Sequence, residues 1–222
     1  MSWLQALSRQ RLAILALLLA AAAASWYLLP APAPLQDIPL EVSQLEELQP
    51  LPEFRFAREG GEFTRADLED GWNFLFFGYT ACPDACPTTL SLLTHLQERM
   101  RASGLPVPRV IFVSIDPRRD TPGVASRYAA AFGPGVVGCV VDPAAQPGLL
   151  RFLGVTAQAH AGGDGTIDHT TNFYLLAPGG RWRATFMPGE DLELVLEDTA
   201  KLIRLTGEPG AIPGTAGNPR NP

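Results

Sequence analysis

A chain of 222 residues has room for one medium-sized domain with terminal extensions, at about 150 residues per domain. Hydrophobic residues make up 46% and charged residues 18%, too apolar for a disordered chain, while 21 Gly and 21 Pro exclude a mainly helical bundle. Between Asp37 and Leu205, 14 Arg/Lys stand against 22 Asp/Glu, a net of −8, which excludes nucleic acid as a partner bound through its phosphates.

Leu12 to Leu29 is an uncharged run preceded by Arg9 and Arg11 and edged by Trp3, Trp26 and Tyr27. As a helix it spans about 27 Å, the thickness of a hydrocarbon core, and the arginines keep its start in the cytoplasm. Residues 1–29 therefore read as a cytoplasmic start and a single-pass transmembrane anchor in the inner membrane, with the rest of the chain in the periplasm. A cleaved signal peptide is the alternative, since Ala20–Ala24 offers A-x-A sites. The interfacial aromatics favour the anchor. A lipoprotein anchor would need a cysteine near residues 20–30, where the sequence has none. Residues 30–49, opening on Pro30–Pro34, read as a Pro-rich spacer.

Residues 50–205 carry the domain. Trp72–Tyr79 (WNFLFFGY) is an apolar run expected of a central strand covered on both faces. Cys86 to about Ala102 reads as a helix, with Pro87 in its first turn and Leu90, Leu93 and Leu96 on its apolar stripe. Arg109–Asp116 is a second buried strand, and Thr121–Phe132 a helix capped by Thr121 with Pro122 following. Val136–Asp142 is a third strand and Ala144–Phe152 a short helix. Thr171–Ala177 and Trp182–Met187, joined by Pro178-Gly179-Gly180, form a hairpin. A helix over Asp191–Leu205 closes the domain, and residues 206–222 read as a disordered tail. This order is that of an α/β, thioredoxin-like sheet with helices on both faces.

Phe77–Pro87 reads FGYTACPDACP, which puts Cys82 and Cys86 in the loop between the first core strand and its helix, at the sheet edge where α/β folds keep their sites. A helix N-terminus favours thiolate there. Three readings compete: a structural disulfide, a redox dithiol and a metal site. So tight a loop gains little from a disulfide. A metal site needs another ligand, and His169, in TIDHTTNFYLL before the hairpin, is the candidate. Two thiolates and an imidazole suit Cu(I), and can also hold Cu(II) or Zn(II). His95 reads as a helix-face residue and His160 as an optional accessory ligand. Cys139, between Gly138 and Val140, reads as a buried core cysteine.

FGYTACPDACP, VSIDPRRDTP at Val113–Pro122 and DHTTNFYLL at Asp168–Leu176, behind one N-terminal span, resemble the SCO/SenC family of copper chaperones for cytochrome c oxidase assembly. The resemblance covers roughly Pro50 to Leu205. It implies a thioredoxin fold in which Cys82, Cys86 and His169 are copper ligands and Cys82 and Cys86 can form a redox disulfide. Asp116 and Asp120 match the family's D-x-x-x-D pattern, and Asp84 lies within the cysteine motif; all three are candidates for partner contact or support of the site, with helix and turn capping as the plainer reading, favoured for Asp120. Thr166 stands where the pattern would have an aromatic residue, and no L-T-G-T-like signature follows Val136–Asp142. The implied function is a membrane-anchored metallochaperone, not an enzyme, that passes copper to the dinuclear copper centre of a respiratory oxidase, with that oxidase's copper-site subunit as partner. The alternative is a thiol–disulfide oxidoreductase that keeps the oxidase's copper-site cysteines reduced. A thiol peroxidase lacks its expected Thr and Arg pattern here.

Overall fold

The computed structural model describes residues 43–159 and 166–207. The chain divides into two units, Met1–Pro39 and Leu40–Pro222, and the described residues fall in the second. The apolar run Leu12–Leu29, Pro30–Pro34, His160 and residues 208–222 lie outside the described residues. Among the described residues no helix is long and apolar enough to cross a membrane.

Strands β1 (Ser43–Pro50), β2 (Arg55–Arg58) and β3 (Gly61–Thr64) precede a 3₁₀ turn at Arg65–Leu68. Then follow β4 (Asn73–Gly78), α1 (Ala85–Ala102), β5 (Arg109–Ser114), α2 (Pro122–Ala130), β6 (Val136–Val140) and α3 (Pro147–Leu153). The chain continues through β7 (Ala157–Ala159), β8 (Ile167–His169), β9 (Phe173–Ala177), β10 (Arg181–Phe186) and α4 (Leu192–Gly207). Eight strands form one sheet in the order β1-β10-β9-β4-β5-β6-β2-β3, while β7 and β8 form a separate two-stranded ribbon. β4, β5 and β6 run parallel at the centre, and the remaining pairings are antiparallel.

The central strands are apolar throughout because both faces are covered. Along β4, Phe74 and Phe76 turn to one core with Leu90, Leu93 and Leu96 of α1, Ala125 and Ala129 of α2, and Val195 and Leu202 of α4. Leu75 and Phe77 turn to the other, with Phe56, Phe63 and Leu149, Leu150 and Leu153 of α3. The period-two alternation of a strand makes this division. Full burial of each such Leu or Phe stabilises by about 1.5–3 kcal/mol.

The expected helices and core strands form, with ends shifted by a few residues. Thr121 caps α2 by accepting the Val124 N–H at 3.3 Å, ahead of Pro122 at the first helical position. Three features depart from the sequence reading. β1 lies inside the stretch expected as a spacer, paired with β10. The β2–β3 hairpin was not anticipated. His169 does not simply precede the hairpin strand, because it ends β8, opposite Ala157 of β7.

Candidate metal centre

Gly78 ends β4 and leads into the cysteine loop. A β-carbon on it would lie 2.7 Å from the Cys86 Sγ and 3.1 Å from the Phe112 ring, so only glycine leaves room for the thiol. The Cys82 N–H then bonds the Tyr79 carbonyl at 3.2 Å, and α1 begins at Ala85. Cys86 lies in the first turn of that helix, and its N–H points at the Cys82 Sγ, 3.4 Å away.

The β7–β8 ribbon brings His169 to this loop from 83 residues further along the chain, with Nε2 3.6 Å from the Cys86 Sγ. Nδ1 lies 2.8 Å from the Thr170 carbonyl oxygen. A carbonyl only accepts, so Nδ1 carries the proton and Nε2 is left as a bare lone pair facing the thiols. The ligand atoms of Cys82, Cys86 and His169 all lie within 4.8 Å of one another. Two thiolates bound to one ion at about 2.3 Å each lie at most about 4.6 Å apart, so the cluster needs to contract only slightly to ligate. Cys82, Cys86 and Cys139 are free thiols.

Burial works against thiolate at Cys86. The side chain is 0% exposed, and desolvation, reinforced by the neighbouring Cys82, pushes its thiol well above the ordinary range. The lowering expected from the helix N-terminus is overridden, because a dry sulfur loses more hydration than a helix end returns. Burial also lowers His169, which keeps the imidazole neutral and ready to ligate.

The three aspartates separate in position. Asp84 is exposed, with Thr88 donating its hydroxyl to Oδ1 at 3.3 Å, and is not among the residues whose ligand atoms converge. Asp120 is 2% exposed and accepts from the Thr80 N–H at 2.9 Å and from the hydroxyls of Thr80 and Ser114, which pins the start of the cysteine loop to the end of β5. It is an internal strut, whereas capping of α2 falls to Thr121. Asp116 is buried and holds the Arg119 guanidinium, whose Cζ lies 5.5 Å from the Tyr79 ring centroid. Tyr79 in turn packs against His169. Cys139 is buried in the opposite core, its thiol pushed up to about 12 by burial, and takes no part in the cluster. His95 is exposed on α1.

Sequence reasoning missed Tyr79, Thr80, Ser114 and Arg119. The first two lie inside the quoted cysteine motif and the last two inside VSIDPRRDTP, so their proximity to known candidates was the available signal.

The fold and site define a thioredoxin-like domain with a Cys₂His cluster at the carboxyl end of a central parallel strand. The SCO1/SenC family matches residues 43–204, and the chain belongs to that family. A mitochondrial SCO2 homologue of Bos taurus is 29% identical over 141 residues, 62% of this chain and 53% of its own. An SCO2-like protein of Rickettsia felis is 30% identical over 139 residues, 60% of this chain and 67% of its own. The chain thus spans between about half and two thirds of these curated relatives. Among solved structures, copper-bound ScoI of Arabidopsis thaliana aligns at TM-score 0.65 and 26% identity, over 69% of this chain and 98% of that one. Apo Sco1 of Thermus thermophilus aligns at TM-score 0.63 and 32% identity, over 75% and 97%.

Proposed function

We propose that this chain is a membrane-anchored copper chaperone that binds copper at Cys82, Cys86 and His169 and passes it to the dinuclear copper centre of a respiratory oxidase. The observation that carries the reading is the convergence of three ligand atoms within 4.8 Å from a loop and a distant ribbon. Copper-bound relatives with the same fold support it. Copper here is cargo. The soft thiolates of Cys82 and Cys86 hold Cu(I), and the Nε2 of His169 supplies the borderline donor that admits Cu(II). The Thr170 carbonyl fixes the tautomer that makes Nε2 available, and Gly78 and Asp120 hold the cysteine loop in place. Cys82 is half-exposed and Cys86 buried, so cargo enters and leaves through Cys82. Exposed Asp84, beside that entrance, is the carboxylate placed to meet the oxidase's copper-site subunit. Residues 1–29 anchor the chain in the inner membrane, and the stretch from Pro30 up to β1 spaces the domain into the periplasm.

The second reading, a thiol–disulfide oxidoreductase acting on the oxidase's copper-site cysteines, draws on the two free thiols brought together at the loop, Cys86 N–H pointing at the Cys82 Sγ. Copper stoichiometry on the reduced full-length protein separates the two. One copper per chain is expected, lost in Cys82→Ser and in Cys86→Ser, with His169→Ala losing Cu(II) and retaining Cu(I). Cells carrying His169→Ala should then fail to assemble the oxidase at limiting copper and recover with added copper. Normal assembly by His169→Ala at limiting copper would give the reductase reading the lead.

A further inference from the structure

Tyr79 is tied to both halves of the cluster. Its carbonyl accepts the Cys82 N–H, closing the turn that presents the first thiol. Its ring stands edge to face against the His169 imidazole, centroids 5.7 Å and planes 80° apart. Its hydroxyl accepts the Ile167 N–H at 3.4 Å, two residues before His169 on the same strand. The side chain is 2% exposed.

His169 needs such a tie. β8 is three residues long and pairs only with β7, apart from the main sheet, and a lone two-stranded ribbon is marginal in water. Thr170, next in the chain, bonds the backbone of Thr156 and Gly154, and Ile167 packs against the core. Tyr79 joins the cysteine loop to the ribbon through both its ring and its hydroxyl. The ring is held in turn by the Arg119 guanidinium, itself held by Asp116.

We propose that Tyr79 is a positioning residue for the His169 ligand, its ring clamped by Arg119, and that it thereby sets how strongly the site takes Cu(II) relative to Cu(I). The inference rests on the copper reading above. Cu(I) is satisfied by the two thiolates, whereas Cu(II) draws on the nitrogen, so an imidazole displaced from the thiols weakens Cu(II) alone. The Tyr79 hydroxyl accepts the Ile167 N–H and, with its own proton, also meets the Cys82 thiol, while its ring bears on His169, and the role assigned to it is the placement of that imidazole. A tyrosine that merely filled the core would, when removed, loosen the cysteine loop and weaken both oxidation states together.

The test uses the reduced full-length protein with Tyr79→Leu, Tyr79→Phe and Arg119→Gln, and His169→Ala as reference. Cu(I) and Cu(II) affinities are read by chelator competition, with the thiolate-to-Cu(II) charge-transfer band as the spectroscopic signature. Tyr79→Leu should weaken Cu(II) by about 10–100-fold and shift the band while changing Cu(I) affinity far less. Tyr79→Phe and Arg119→Gln should show smaller losses in the same direction with a band shift of the same sign. Retention of the parent's Cu(II) affinity and spectrum by Tyr79→Leu, or equal losses of Cu(I) and Cu(II), overturns the proposal. If Tyr79→Leu does not fold, Arg119→Gln decides alone, since its side chain is 40% exposed and lies outside the core. A parent that binds no copper, or His169→Ala that binds Cu(II) like the parent, overturns the copper reading and this inference with it.

Discussion

Burial and function pull Cys86 in opposite directions. Its sulfur sits dry beneath the cysteine loop and holds its proton tightly, yet a copper ligand must be a thiolate. The conflict resolves when a cation replaces the proton, since its charge compensates the sulfur in the same dry site. Loading should therefore release protons, and affinity should rise with pH by about one log unit per pH unit for each proton displaced. His169 works the other way: burial holds its folded pKa below the unfolded value, so the imidazole stays neutral and does not compete for protons until the solution is more acidic. Acid therefore weakens copper binding first through the thiols. Calorimetry in buffers of different ionisation enthalpy should find at least one proton released per Cu(I) at pH 7. A Cu(I) affinity independent of pH would contradict this assignment. The residues behind it were only partly readable. Cys82 and Cys86 announce themselves by spacing, and His169 by the motif around it. Tyr79, at the end of an apolar run, reads as one more strand residue, because its role lies in what its ring and hydroxyl touch across 88 and 90 positions of chain.

At the scale of elements, strands buried on both faces were visible as continuous apolar runs, and α2 as a Thr-Pro cap signal, because these patterns are local. β1 was not, since SQLEELQP is polar and lies at the sheet edge, where nothing forces an apolar pattern. The β2–β3 hairpin did carry a signal. Phe56 and Phe63 are fully buried, facing each other across the register, and Gly60 takes φ 81° at the turn, a backbone that suits glycine. The pairing of β7 with β8 left no mark, as three residues on each side set no period. Gly138 shows how closely the elements approach. A β-carbon there would lie 2.2 Å from the Ala125 carbonyl oxygen and 2.8 Å from the Ser126 Cα, so α2 crosses β6 against bare backbone. Backbone cannot yield as a side-chain tip can. Gly138→Ala should destabilise the domain by about 1–3 kcal/mol or more in urea unfolding, by pushing α2 off the sheet. Wild-type stability in that variant would mean that α2 does not sit against β6 as described.

For the whole molecule, the proposed topology is directly testable. Among the described residues Met187, at 57% exposure, is the exposed large hydrophobic side chain. The proposed anchor is Leu12–Leu29, and the arginines at Arg9 and Arg11 favour a cytoplasmic start for such a span. Alkaline phosphatase, active only after export, should be active when fused to the C-terminus, and the full-length protein should stay in the membrane pellet after alkaline washing with its N-terminus intact. An inactive fusion would place the copper site in the cytoplasm and overturn the topology. A shortened, soluble protein with an active fusion would replace the anchor by a cleaved signal peptide and leave export standing. Replacing Arg9 and Arg11 by Glu should lower the fraction exported, since the positive-inside bias sets the orientation of a lone span.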